Sequence, residues 1–186
     1  MPWYELAKVV HFLGLIALFG FFVIYSRAGP RLRKAKDLAE VRVWLGLLDL
    51  AKPMMPGAGV MLIASGVTMG MLRWKGPYPF MMVGLITIAI IWTLAARIGG
   101  RHLGAMHAAA VAESGPVPPE LSRIILDPKP WATLFALNTA ALGVLIVMTT
   151  KLGWVGAVSV VLGLAILGAL IGSRMVAGER TAQPGT

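Results

Sequence analysis

Cysteine is absent from this 186-residue chain, and charged residues make up only 13% of it. Without thiolates, the chain cannot form disulfides, cysteine-based zinc sites or cysteine-ligated iron–sulfur clusters. A soluble domain is about one quarter charged, whereas here 58% of the residues are hydrophobic and the mean hydropathy is +0.79. This excess of apolar residues is typical of a polytopic membrane protein.

The common catalytic motifs are also missing from the sequence. There is no P-loop, no GxSxG and no HExxH. No Asp, Glu, Lys or Arg lies in the middle of an apolar stretch, although pumps and ion-coupled transporters usually need such groups. Ion-coupled transport is therefore not expected.

Five apolar stretches are close to the ~20 residues that a helix needs to cross a bilayer. They cover about 3–25, 53–72, 80–96, 131–149 and 154–172. The sequence predicts an all-α membrane protein with one bundle over 1–174 and a disordered cytoplasmic tail over 175–186. Gly29-Pro30 is expected to break the first helix.

Residues 35–52 have the spacing of an amphipathic helix. Leu38, Val41, Leu45 and Leu48 recur at helical intervals, and charged residues lie largely opposite them. The segment is too charged to span. Two placements remain open: along the cytoplasmic membrane surface, or packed under the bundle.

Basic residues are distributed unevenly between the connections. With five spans, thirteen of the 17 basic residues fall on one side and four on the other. The positive-inside rule then puts the N-terminus outside and the C-terminus in the cytoplasm, as expected for a multi-pass protein of the bacterial inner membrane. This rule also explains the net charge of +9, so nucleic acid is not expected as a partner.

Two GxxxG motifs predict close contacts between helices, at Gly66–Gly70 and Gly168–Gly172. Such faces can pair within one chain or between chains. Beyond the lipid bilayer, the expected partners are therefore other membrane subunits or further copies of this chain.

His11 is the residue most indicative of chemistry, because histidine is rare within a span. It lies seven residues after Tyr4, which is ~10 Å deeper along a helix. A neutral imidazole can bind haem iron or copper. The alternative is a structural histidine bonded to Ser65, Thr87 or Ser159, which the register places at the same depth.

The other two histidines, His102 and His107, follow the third span and are expected to be solvated loop residues near the opposite face. A haem held by two histidines of one chain is therefore not expected.

Methionines cluster near the predicted depth of His11. Met69 and Met71 end the second span, and Met81 and Met82 begin the third. With His11 they could form a soft-ligand site for Cu(I). The alternative is that they are ordinary flexible fillers of apolar space.

The stretch WYELAKVVHFLG at 3–14, followed by Gly20, Arg27 and Pro30-Arg31-Leu32, resembles the opening helix of a group of small bacterial membrane proteins. The group includes CopD-type copper-resistance domains, HemJ-type protoporphyrinogen oxidases and uncharacterised integral membrane proteins, and the overall likeness is closest to the last. The resemblance implies a haem ligand at His11 from the HemJ-type proteins, and copper handling through His11 and methionines from the CopD-type proteins. HemJ-type proteins also carry a functional lysine in a later span, and the third span here has none.

Three functions follow as hypotheses. The first is a membrane protein that binds haem b or copper through His11, without catalysis. The second is a non-catalytic accessory subunit of a larger membrane complex. The third is an enzyme that resembles protoporphyrinogen oxidase.

Overall fold

The computed structural model describes residues 2–74, 78–110 and 115–181, with side chains as far as residue 175. Within these ranges the chain is helical and contains no strand. The helices are α1 (Pro2–Lys34), α2 (Leu38–Ala51), α3 (Met54–Met69), α4 (Pro79–Leu94), α5 (Gly100–Ala109), α6 (Pro119–Ile125), α7 (Pro128–Thr150) and α8 (Trp154–Thr181). Short π-helical segments extend α3 over Gly70–Trp74 and α4 over Ala95–Gly99.

Five helical stretches of the described chain are long and apolar enough to cross a membrane. They are Pro2–Lys34, Leu38–Trp74, Pro79–Ala109, Pro119–Thr150 and Trp154–Met175. The predictions of an all-α fold and of five such helices are confirmed. Which end of the bundle faces the cytoplasm stays a prediction.

The prediction that Gly29-Pro30 breaks the first helix is wrong, because α1 continues to Lys34. Packing against α7 accounts for the difference. A Cβ on Gly29 would stand 2.8 Å from the Trp131 ring, so the absence of a side chain lets the indole lie directly on α1. Ala28 and Leu32 are also buried there. α1 therefore remains helical through a residue that usually disrupts a helix.

Helix α2 has the predicted amphipathic pattern. Its four stripe residues, Leu38, Val41, Leu45 and Leu48, are all at most 1% exposed. Its N-terminus is capped by Asp37, whose side chain accepts the Glu40 N–H at 2.8 Å. The stripe packs against α1 and α5, which agrees with a helix packed under the bundle. Whether α2 also touches the membrane surface stays a prediction.

Helix α8 packs chiefly against α7 through the second GxxxG motif. A Cβ on Gly168 would lie 2.5 Å from the Phe135 carbonyl oxygen, and one on Gly172 would lie 2.9 Å from the Ala132 Cα. The predicted close contact is therefore present. The backbone of α8 is helical to Thr181, so it continues into the segment expected to be disordered. Residues 182–186 lie outside the described chain.

Lys151 forms the turn between α7 and α8 and has a positive φ of 54°. Its N–H donates to the Val147 carbonyl at 2.9 Å, which closes the last turn of α7. A left-handed residue at this position is the usual way to end a helix, although glycine is its common occupant. The turn sends the chain back antiparallel and carries the lysine side chain toward the end of the bundle.

Candidate ligand cavity around His11

A cavity of about 670 Å³ lies between α1, α3, α4 and α7, at the end of the bundle where α7 turns into α8. Its wall is made mostly of aliphatic, methionine and aromatic side chains, with His11 on one side and Lys151 near one end. Small-ligand sites typically measure ~300–1,000 Å³ and combine an apolar wall with a few polar groups. This cavity has both properties.

A close contact between α1 and α3 positions His11. A Cβ on Gly14 would lie 2.9 Å from the Leu62 Cγ and 3.1 Å from the Met61 Cβ, so only glycine permits this separation of the helices. His11 is three residues earlier, on nearly the same face of α1. The missing side chain at Gly14 therefore brings the imidazole against α3.

Ser65 on α3 is the hydrogen-bond partner of His11, with 3.0 Å between the imidazole Nδ1 and the Ser65 Oγ. Of the three partners that the register offered, Ser65 is the one in contact. Thr87 is buried without a bond to His11, and Ser159 is exposed on α8.

The hydroxyl of Ser65 determines which imidazole nitrogen carries the proton. Ser65 has one hydroxyl proton and donates it to the Met61 carbonyl. Its oxygen then accepts from His11, so Nδ1 is the protonated nitrogen. Nε2 keeps its lone pair and has no hydrogen-bond partner among the described residues. The imidazole is thus arranged as metal-binding histidines usually are, with one nitrogen held by the protein and the other free to coordinate.

All four methionines singled out in the sequence, Met69, Met71, Met81 and Met82, line the same cavity as His11. Met71 is 74% exposed, so only a small part of its side chain can contribute. The Met81 methyl lies over Gly70, with its sulfur 4.0 Å from where a Cβ would stand.

The first GxxxG motif accommodates side chains. His11 lies against Gly66 and Met81 against Gly70, four residues apart on one face of α3, or ~6 Å along its axis. At this motif the glycines face side chains of α1 and α4 and no neighbouring backbone. Its missing side chains make room at the cavity wall for an imidazole and a thioether.

Two of the cavity residues that the sequence analysis missed bear on ligand binding. Met148 on α7 lines the cavity, and its methyl packs against Gly84 of α4. Lys151 also lines it, and its ammonium lies 4.9 Å from the centre of the Trp74 ring. Nothing in the sequence distinguished Met148 from other methionines near the end of a span. Lys151 could have been noticed, because it is a charged residue in the tight turn between two spans.

His102 and His107 lie on α5, and neither lines the cavity. The expectation that both are solvated is wrong for His102, which is 7% exposed and meets the Trp131 ring edge-on at 5.5 Å. The chain remains helical from α4 through Ala95–Gly99 into α5. His102 therefore lies on a helix of the bundle and not in a loop. His107 is half-exposed and pairs with Asp49 of α2 at 3.0 Å.

No group of three or more histidine and acidic side chains suited to a metal ion occurs within residues 2–74, 78–110 and 115–175. A metal at the cavity would therefore be bound by one imidazole and thioethers, or by an imidazole and a macrocycle. Comparison of the chain with protein-family models, with curated proteins and with solved structures gave no match. The likeness to the CopD-type and HemJ-type proteins remains a prediction from residues 3–32.

Proposed function

We propose that this protein binds haem b in the cavity between α1, α3, α4 and α7, with His11 Nε2 as an axial ligand. The observation that carries the proposal is the 3.0 Å contact between His11 Nδ1 and Ser65 Oγ at the wall of a large apolar cavity. With the Ser65 proton on the Met61 carbonyl, this contact assigns the imidazole proton to Nδ1 and leaves Nε2 free. A histidine that only connects two helices would explain the hydrogen bond to Ser65. It would not explain the cavity beside the imidazole.

The size and lining of the cavity support haem over a bare ion. A copper ion with its ligands needs far less space than 670 Å³. A large apolar ligand buries its surface in such a pocket and needs few polar contacts. Met81 and Met69 line the same cavity, and a thioether opposite a histidine is a known second axial ligand of haem.

The residues present fit this group in distinct roles. His11 would supply the nitrogen ligand, Ser65 would hold its tautomer and ring orientation, and the apolar wall would keep water from the bound group. Haem b bound there would supply a one-electron iron couple within the membrane. The scarcity of acid–base groups in the cavity favours binding or electron transfer over porphyrin oxidation, so an enzyme of that type is not proposed.

An optical titration tests the proposal. The protein is purified without haem in nanodiscs and titrated with haemin. We expect a Soret band that saturates at one haem per chain, that is lost in His11→Ala and that returns when imidazole is added to this variant. His107→Ala is the matched control, because His107 is half-exposed, pairs with Asp49 and does not line the cavity. A titration curve that is the same for His11→Ala and wild type would contradict the proposal.

Copper(I) binding is the second candidate, and one observation favours it. His11 packs against Gly66 and Met81 against Gly70, which are one helical turn apart, and soft thioethers with a neutral imidazole suit Cu(I). Metal analysis of the purified protein separates the two. One copper per chain without a Soret band, reduced by Met81→Leu, would favour copper.

A colourless, metal-free protein would contradict both proposals. If that protein also migrated with a larger membrane complex, the remaining hypothesis would be the accessory subunit. Its exposed apolar helix faces would then contact other subunits as well as lipid.

A further inference from the structure

Lys151 lies at the end of the cavity farthest from the middle of the bundle and has no carboxylate partner among the described residues. Its ammonium instead lies 4.9 Å from the centre of the Trp74 ring, which also lines the cavity. A cation–π contact fixes the position of the charge without neutralising it. The cavity is therefore apolar along its length and cationic at one end.

The backbone at Lys151 is unusual for a residue with a side chain. It is the only non-glycine residue of the described chain with a positive φ, at 54°. Glycine is the usual occupant of this helix-ending position, because a Cβ is disfavoured in the left-handed conformation. A lysine here is not required by the turn, which supports a role for its side chain.

The two positions that His11 and Lys151 contact lie on α3 and its π-helical extension. His11 lies against Gly66 and Lys151 lies over Trp74, and these contacted residues are eight positions apart. At 1.5 Å per residue the two contact points are up to roughly 12 Å apart along the axis. A porphyrin carries both propionates on one edge. The distance from the centre of the ring to the carboxylate of a propionate is of similar size.

We propose that Lys151 is the anion-binding residue of the cavity and pairs with a propionate carboxylate of the haem whose iron His11 binds. This inference rests on the proposed function. The lysine positions the ligand and does not take part in any reaction. It would orient the macrocycle with its propionates toward the α7–α8 turn, where the charged groups stay near water and the apolar edge lies deep between the helices.

A pair of haem probes tests the role of the charge. Haemin has two free propionates, and its dimethyl ester has none. Both are titrated into protein in nanodiscs of neutral lipid, so that surface charge does not compete, and affinity is read from the Soret band. The variants are Lys151→Asn, whose side chain tolerates a positive φ, and Lys151→Arg, which keeps the charge. Lys8→Gln is the control, since Lys8 lies in the first turns of α1, pairs with Glu5 at 2.6 Å and does not line the cavity.

We expect Lys151→Asn to weaken haemin binding roughly five- to tenfold, as for loss of a charge-assisted contact at a partly exposed site. Its affinity for the dimethyl ester should equal that of wild type, which also shows that the variant is folded. Lys151→Arg and Lys8→Gln should bind haemin as wild type does.

Two results would overturn the inference while leaving haem binding intact. One is unchanged haemin affinity in Lys151→Asn. The other is an equal loss for haemin and its ester, which would mean that Lys151 only maintains the turn. A wild-type protein that binds neither probe would refute the proposed function itself, and the role of Lys151 with it.

Discussion

Replacing Gly14 by alanine should disturb both the α1–α3 contact and the orientation of His11. The new Cβ would stand 2.9 Å from the Leu62 Cγ and 3.1 Å from the Met61 Cβ. The Met61 Cβ is bonded to the backbone of α3, so no rotamer change can move it away. Carbon atoms pack at ~3.5–4.0 Å, and the helices must therefore separate by roughly 0.4–0.9 Å.

That separation is comparable to the lengthening that the His11–Ser65 hydrogen bond can tolerate. The bond is 3.0 Å long, and at about 3.6 Å it would no longer be a hydrogen bond. Loss of the hydrogen-bond partner of a metal-binding histidine typically lowers metal affinity ~10–100-fold. Overpacking should also lower the free energy of unfolding by about 1–3 kcal/mol.

Two assays measure these effects on the same purified variant. Unfolding in mixed micelles gives the change in stability, and haemin titration gives the change in affinity. The matched control is Gly163→Ala, because a Cβ on Gly163 has no atom within 4 Å. The reasoning would be refuted if Gly14→Ala kept both the stability and the haemin affinity of Gly163→Ala.

Three further substitutions test separate parts of the account. Ser65→Ala removes the acceptor of the His11 Nδ1 proton and should lower haemin affinity about tenfold with little loss of stability; an unchanged affinity would contradict the tautomer argument. Gly168→Ala puts a Cβ 2.5 Å from the Phe135 carbonyl oxygen and should destabilise the α7–α8 pair by about 1–3 kcal/mol in an unfolding assay, whereas a neutral result would mean that these helices are not so close. Trp131→Phe removes the hydrogen bond that the indole N–H donates to the Ile125 carbonyl at 2.8 Å. This should lower the free energy of unfolding by about 1–3 kcal/mol. Haemin affinity should not change, because Trp131 does not line the cavity.

The helical architecture could be predicted because apolar stretches of spanning length have few other stable structures in a bilayer. The predicted helix break at Gly29-Pro30 was wrong, because the helix-breaking tendency of glycine and proline is a local property and this segment is fixed by tertiary packing. The indole of Trp131 lies on Gly29, and these residues are 102 positions apart in the sequence. Contacts of that range cannot be read from a helical pattern.

The candidate site could be predicted in part. Equal depth in the membrane linked His11 with Ser65, and the four methionines were expected about a turn or two nearer the membrane boundary. In the described structure His11 contacts Ser65 and lines one cavity with the methionines. Depth alone did not distinguish Ser65 from Thr87 or Ser159, because it carries no information on which helices are neighbours. It also gave no reason to include Lys151, whose position follows from the left-handed turn after α7.

Haem stoichiometry in wild type and His11→Ala is the most direct test of the central claim. Both proteins are saturated with haemin, freed of excess ligand, and assayed for haem per polypeptide by the pyridine haemochrome spectrum. The account predicts a ratio near one for wild type and near zero for His11→Ala. Equal ratios in the two proteins, or a wild type that retains no haem, would contradict it.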